Sequence, residues 1–208
     1  MAPNTKLLDE VSAYYSRKIT EHGDTPRGVD WNSEAGQVHR FEQLCRILPN
    51  EGAYLIHDIG CGYGALYDFL AARRDDFFYR GIDVSQAMLD AAAGRLAHAP
   101  NVELLADVSD GCIADYSVAS GIFNVRLDQS DADWREYIVR TLEQMAATSR
   151  KGFAFNCLTS YSDADHMRPD LYYADPCWLF DLCKRRFSRN VALLHDYDLY
   201  EFTMLVRT

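Results

Sequence analysis

Apolar positions recur at helical spacing in the first fifty residues and alternate at strand spacing in short runs thereafter. Leu7, Val11, Tyr14 and Tyr15 share one helical face, and Val38, Phe41, Leu44, Cys45 and Leu48 share another. Two helices therefore precede the first strand. Residues 22–32 between them carry Gly23, Pro26 and Gly28 and read as a loop, with Asn32 or Ser33 placed to cap the second helix.

From residue 53 onward the pattern alternates strand and helix. Residues 53–59, 77–83, 101–106, 115–122, 152–158 and 191–194 read as strands. The intervening segments put Ala65, Leu66, Phe69 and Leu70 on one helical face, then Met88, Leu89, Ala92 and Leu96 behind a Ser85 cap. Asp133 precedes a helix whose Trp134, Ile138, Leu142 and Met145 point one way. Asp175-Pro176 has the N-cap and first-turn proline of a further helix through Trp178, Leu179, Leu182 and Cys183. Finally Tyr200, Phe202, Met204 and Val206 alternate in a seventh strand. Only residues 196–199 separate it from the sixth, too few for a crossover helix, so it must run antiparallel to its predecessor. The expectation is an α/β fold: a seven-stranded, mostly parallel sheet with an antiparallel last strand and helices on both faces. Residues 1–50 form an N-terminal helical cap and residues 51–208 a single compact unit.

The chemistry concentrates where the first strand ends. Asp58-Ile-Gly-Cys-Gly-Tyr-Gly64 places glycines at 60, 62 and 64, a turn tight enough for a ligand to lie against its backbone. A dinucleotide fingerprint would put the third glycine three residues after the second, and a P-loop would follow with Lys-Ser/Thr; neither holds here. Asp83 ends the second strand nineteen residues after Gly64, where a ligand for ribose hydroxyls is expected. An acid before the glycines and another after the next strand suit a cofactor bearing an amine and a ribose.

On these residues, with Gly81-Ile-Asp-Val-Ser-Gln-Ala-Met-Leu89 and Leu104-Leu-Ala-Asp-Val108, the chain resembles the class I S-adenosylmethionine-dependent methyltransferases over roughly residues 50–208. The resemblance implies a Rossmann-like sheet and S-adenosyl-L-methionine as cofactor. It implies that the turn with Asp58, Gly60, Cys61 and Gly62 cradles the methionine part. Asp83 would hold the ribose and Asp107 meet the adenine amine, with Val84, Met88 and Val108 flanking the ring. Ser120 and Gly121 would contact the cofactor through backbone. In similar small-molecule enzymes an N-terminal helical cap closes over the cofactor, a role that Tyr15 and Trp31 suit because aromatic faces attract a sulfonium. The Asn/Asp-Pro-Pro-aromatic motif of adenine and glutamine methylation is missing after strand four, which counts against those acceptors.

Composition narrows the acceptor. A 208-residue chain with 48% hydrophobic residues can bury a full core. Its formal net charge of −10 repels phosphate backbones and anionic membranes, so neither nucleic acid nor membrane is an expected partner. Arg73-Arg74 and Lys184-Arg185-Arg186 are read as helix-end cations complementing the macrodipole. Six cysteines without C-x-x-C, in a sequence lacking a signal peptide or long apolar run, read as reduced thiols of a cytoplasmic protein.

Acceptor-side groups are sought at the carboxyl ends of strands four and five. Phe123 and Asn124 are candidates to face the acceptor. Residues 159–175, polar and long, read as a substrate cover; within them His166 is the candidate general base, since histidine titrates near neutral pH, with Tyr161 as a second catalytic candidate. His57 reads as a hydrogen-bonded core residue, and His195 as a partner for Asp196. No metal constellation emerges. The sequence thus points to methyl transfer onto an oxygen or nitrogen of a small molecule. A non-catalytic cofactor-binding module and a nucleotide-dependent oxidoreductase stay open as alternatives, and oligomeric state is not legible.

Overall fold

In the computed structural model, which describes residues 5–108 and 112–208, the leading helices are α1 (Thr5–His22) and α2 (Glu34–Leu44). The loop between them carries a 3-10 turn at Pro26–Val29, and of the two capping candidates Ser33 is the one used, its Oγ accepting from the Gly36 N–H at 3.1 Å. The strands and helices that follow are β1 (Tyr54–Ile59), α3 (Ala65–Ala71), β2 (Phe77–Ile82), α4 (Gln86–Arg95), β3 (Val102–Leu105), β4 (Ala114–Ala119), α5 (Asp131–Ala147), β5 (Ser149–Leu158), α6 (Pro176–Arg186), β6 (Asn190–Leu194) and β7 (Glu201–Arg207).

The seven strands form one sheet in the order β3-β2-β1-β4-β5-β7-β6. The pairs from β3 to β5 are parallel, while β7 is antiparallel to both β5 and β6. The expected pairing of the last strand with its predecessor is observed. Its second pairing, with β5, could not be read from local spacing, and it places β7 inside the sheet. Phe202, Met204 and Val206 consequently enter one core and Leu205 the other, while Glu201 and Thr203 are buried as well.

Each face of the sheet carries its own core. α5 and α6, with Leu7 of α1, cover one through Trp134, Ile138, Leu142, Leu179 and Cys183 against Phe153, Phe155 and Met204. α2, α3 and α4 cover the other through Phe41, Leu44, Leu66, Phe69 and Leu89 against Ile56, Tyr79 and Val118. The helical stripes expected from the sequence pack, apart from Tyr14, whose hydroxyl instead donates to Asp30.

Several boundaries differ from the pattern, β5 for one starting at Ser149 rather than at 152. β4 stops at Ala119 instead of Ile122 because Gly121, at φ +79°, turns the chain away from the sheet. α5 begins at Asp131 because Ser130 is its cap, accepting from the Asp133 N–H at 3.2 Å. The segment 159–175, polar by composition, also packs inward. It contains a 3-10 turn at Ala164–His166, and its returning arm donates from Tyr172 N to Asn124 O and from Ala174 N to Leu158 O, both at 2.8 Å, burying Tyr172 and Ala174 in the core. Asp175 caps α6 as expected, accepting from Cys177 N and Trp178 N. Among the described residues, no helix is long and apolar enough to cross a membrane.

Two neighbours in the central strand β1 bury ionisable groups. His57 is fully buried, as expected of a core residue, and burial followed by the charge of Arg80 lowers its imidazole to about 4. Asp58 accepts from the Tyr79 hydroxyl at 2.6 Å. Burial raises its carboxyl to about 7; the Tyr79 hydrogen bond opposes the rise and the charge of Asp83 adds to it. An acid whose pKa is higher in the folded state binds protons preferentially there, so ionising Asp58 costs stability as pH climbs from about 4 to about 7. Asp58→Asn removes that cost. Chemical denaturation across this pH range should show the variant gaining on wild type as pH rises, by at most about 1.4 kcal/mol per pH unit. A difference independent of pH would contradict the assignment.

Candidate active site

The turn after β1 holds Gly60, Gly62 and Gly64 at φ +73°, +55° and +83°. The Gly60 and Cys61 N–H groups both donate to Ile82 O, at 2.7 and 3.0 Å, which stitches the turn to the end of β2. Next to it the Asp83 carboxylate accepts from Gly62 N on Oδ2 and from Ser85 N on Oδ1, each at 2.9 Å. Ser85 in turn caps α4 by accepting from Met88 N. One carboxylate thus fixes the glycine turn and the entry to α4 together. Burial raises the Asp83 carboxyl, opposed by the Ser85 and Gly62 donors. Glycine at position 60 is obligatory for steric reasons also, because a Cβ would stand 2.2 Å from Ile122 Cγ2.

Above this turn lies a cavity of about 110 Å³. Its floor comprises Gly60, Gly62, Asp83, Val84, Met88, Ser120 and Gly121, and its roof is Leu8, Val11 and Tyr15 of α1 with Val29 and Trp31 of the loop. The roof is anchored directly to the floor. Ser12 Oγ donates to Val84 O at 3.2 Å, and Ser16 Oγ bonds Ser85 Oγ at 2.9 Å. Among the described residues lining this cavity, Asp83 is the only one bearing a carboxylate. Ser120 Oγ is buried without a partner. Burial pushes the phenols of Tyr15 and Tyr137 upward, the latter to about 12, so both stay protonated at neutral pH.

A second, wider cavity of about 400 Å³ adjoins the first and shares Tyr15, Val29, Trp31 and Gly121 with it. Its wall is polar, with Asp30, Arg40, Asn124, His166, Arg168 and Glu201 among the lining groups. Trp31 is the partition. A Cβ on Gly121 would come 2.4 Å from its ring, and the Arg40 guanidinium lies 3.9 Å from the ring centroid. Arg40 is held by Glu201, Nε donating to Oε1 and Oε2 at 2.9 and 2.8 Å and Nη2 to Oε1 at 2.6 Å. Asn156 completes the circuit, donating from Nδ2 to Glu201 at 3.0 Å and accepting the Gly121 N–H at 2.7 Å.

The structure thus brings Gly60, Gly62, Asp83, Val84, Met88, Ser120, Gly121, Tyr15 and Trp31 around one cavity and His166 and Asn124 to the other. It does not bring in the remaining candidates. Asp58 lies in the strand beneath the turn, clamped by Tyr79. The Cys61 thiol packs into the core beside Gly81, and burial holds it well above its ordinary range. Asp107 is exposed beyond the end of β3, and Val108 is buried with its carbonyl accepting from Gln144; neither lines the cavity. Tyr161 is 67% exposed and packs on the His195 ring, outside both cavities. His195 packs between Tyr161 and Phe202 in place of the expected pairing with Asp196. Phe123 is a core residue.

Sequence reasoning missed Val29, Ile122 and Tyr137 at the first cavity and Asp30, Arg40 and Glu201 at the second. Glu201 alone left a trace, as an acid within an apolar strand. Among the described residues, no group of three or more His, Cys, Asp or Glu side chains could hold a metal ion. The first cavity does suit an adenosyl group. The Asp83 oxygens keep lone pairs beyond the two N–H bonds, Val84 and Met88 offer apolar walls for a purine, and Ser120 has an uncommitted hydroxyl.

Comparison with known proteins agrees. Residues 56–152 match the family described as "Methyltransferase domain". The chain is 59% identical over 162 residues to "Putative methyltransferase Rv1506c" of Mycobacterium tuberculosis, covering 78% of this chain and 98% of that one. Among solved structures, magnesium protoporphyrin IX methyltransferase from Synechocystis PCC 6803, with bound SAM, superposes with TM-score 0.67 at 14% identity over 100% of this chain and 97% of the other. N-methyltransferase NodS from Bradyrhizobium japonicum WM9, in complex with S-adenosyl-l-homocysteine, gives TM-score 0.66 at 17% identity over 95% and 97%. At such identities the two structures speak for the fold, which is the same mixed seven-stranded sheet, and the sequence relationship to the mycobacterial protein carries the family: this chain belongs to the class I S-adenosylmethionine-dependent methyltransferases.

Proposed function

We propose that this methyltransferase transfers a methyl group to an oxygen or nitrogen of a small-molecule acceptor, with the cofactor in the apolar cavity and the acceptor in the polar one. The observation that carries this reading is the shared wall: Tyr15, Val29, Trp31 and Gly121 border both spaces. A methyl group passing from one bound molecule to the other needs the two cavities to meet at one place, and orientation of this kind is worth roughly 7–11 kcal/mol at its favourable limit. The cofactor supplies an electrophilic methyl on a sulfonium sulfur.

The chain's own residues bind, orient and exclude water. Asp83 would accept from the ribose hydroxyls, Val84 and Met88 would flank the adenine, and Gly60 and Gly62 would leave room for the methionine part. Tyr15 and Trp31 would offer aromatic faces to the sulfonium. α1 acts as the cover, tied down by Ser12 and Ser16. For a hydroxyl acceptor, His166 would take the proton as the new O–C bond forms and the S–C bond breaks; its side chain stands on the rim of the second cavity, edge-on to Tyr200. The central part of segment 159–175, with Ser162, His166 and Arg168 on the cavity wall, is the substrate cover.

The net charge of −10 favours a small acceptor over a polyanion. All six cysteines are unpaired, which suits the reducing cytoplasm.

Incubating the protein with methyl-labelled S-adenosylmethionine and a fractionated bacterial extract should put label into the low-molecular-mass fraction; label confined to nucleic acid or protein would overturn the acceptor class. Asp83→Ala should weaken S-adenosylhomocysteine binding by about 1–3 kcal/mol in calorimetric titration, and unchanged affinity would remove the ribose role. His166→Asn should leave that affinity intact while lowering turnover by about 10²–10⁴-fold; near-normal turnover would dismiss His166 as the base.

A further inference from the structure

Trp31 borders both cavities, so the place of its ring bears on how they meet. Two neighbours fix that place. The Arg40 guanidinium carbon lies 3.9 Å from the ring centroid, and Gly121 is so close that a Cβ on it would stand 2.4 Å from the ring. Both neighbours are held in turn by one carboxylate. Glu201 takes Arg40 on both of its oxygens. Its Oε2 also accepts from Asn156 Nδ2 at 3.0 Å, while Asn156 Oδ1 accepts the Gly121 N–H at 2.7 Å. The first turn of α2 leaves room for the guanidinium, since a Cβ on Gly36 would stand 3.0 Å from Arg40 Nη1.

Stability alone does not account for this arrangement. The side chains of Arg40 and Glu201 are only 12% and 1% exposed. Desolvating two charges to this degree offsets much of their attraction, and apolar residues of similar volume often stabilise a protein as well or better. What the pair has that an apolar pair lacks is direction. A guanidinium is planar, meets a carboxylate through a fork of fixed geometry, and keeps a flat face for an aromatic ring. Lysine could neutralise Glu201 but would bring neither the fork nor the flat face.

We propose that Arg40 and Glu201 are positioning residues for methyl transfer, holding Trp31 against Gly121 so that the cofactor and acceptor cavities meet at a fixed place. This rests on the assignment of the two cavities to donor and acceptor. Neither residue takes part in bond making; each acts through Trp31 and Gly121. A displacement of about 1 Å between reacting groups can cost about 10²-fold in rate. Release of the ring should therefore show in turnover and not in cofactor affinity.

The test uses the full chain in two variants, Arg40→Lys and the double variant Arg40→Met with Glu201→Gln. The first keeps the opposite charges and removes the planar group. The second leaves no buried charge unpaired and keeps an oxygen at position 201 for Asn156. Both should melt close to wild type and bind S-adenosylhomocysteine as wild type does. In both, acrylamide should quench Trp31 emission, read as the difference from the same protein carrying Trp31→Phe, more strongly than in wild type. Label transfer from saturating S-adenosylmethionine to the low-molecular-mass fraction of a bacterial extract should fall about ten-fold or more. Transfer at the wild-type rate in either variant would overturn the proposal. A loss of rate with Trp31 quenching unchanged would overturn it too, because Arg40 would then be touching the acceptor itself. If Arg40→Lys unfolds, the double variant decides; unfolding of both would make the pair a structural one and equally overturn the proposal. Failure of wild type to bind S-adenosylhomocysteine would instead remove the two-cavity reading beneath it.

Discussion

The site depends on one carboxylate. Asp83 accepts from Gly62 N and Ser85 N, joining the turn after β1 to the helix after β2. Without that bridge, three left-handed glycines at alternate positions would have little to fix them, since glycine gives up more conformational freedom on ordering than any other residue. With it, the turn has a defined surface on which Ile122, Trp31 and the roof helix can settle. The same carboxylate is partly buried in an apolar cavity, where its negative charge is held by two backbone donors and no cation. That leaves it able to accept further hydrogen bonds from a ligand, which is what a binding group requires and a saturated ion pair would not provide.

The second constraint is topological. Because β7 inserts between β5 and β6, Glu201 at its start lies inside the sheet. A buried carboxylate is costly unless paired and hydrogen-bonded. Arg40 from α2 and Asn156 from β5 meet both needs, and through them the chain's last strand reaches Trp31 and the Gly121 N–H. The partition between the cavities is therefore braced by residues from both ends of the sequence. This explains why an ion pair sits where an apolar pair would pack more cheaply: its geometry positions a wall.

The sheet, its helices and the placement of Asp83 beside the glycine turn were legible in the sequence because each leaves a local signature. Glycines at 60, 62 and 64, the acid at 83, the Ser85 and Asp175 caps and the alternation in 200–206 are all short-range patterns. The partnership of Arg40 with Glu201 and the place of Asp30 were not legible, since they follow from strand order and from α2 meeting a strand 161 residues further along. The inward packing of segment 159–175 was not legible for a related reason. Its polar composition describes its exposed middle, while Tyr172 and Ala174 are drawn into the core by backbone bonds to Asn124 and Leu158. Tyr161 and Asp107 were credible by type and position, but the side chains that reach the cavities are set by where the chain turns.

The central claim is that two adjoining cavities separated by Trp31 and Gly121 hold donor and acceptor. A crystal structure of the protein with S-adenosylhomocysteine tests it most directly. The account predicts the ribose against Asp83, the purine between Val84 and Met88, and the sulfur turned toward Trp31 and the polar cavity. A ligand whose sulfur faces away from that partition, or one bound outside the apolar cavity, would contradict it.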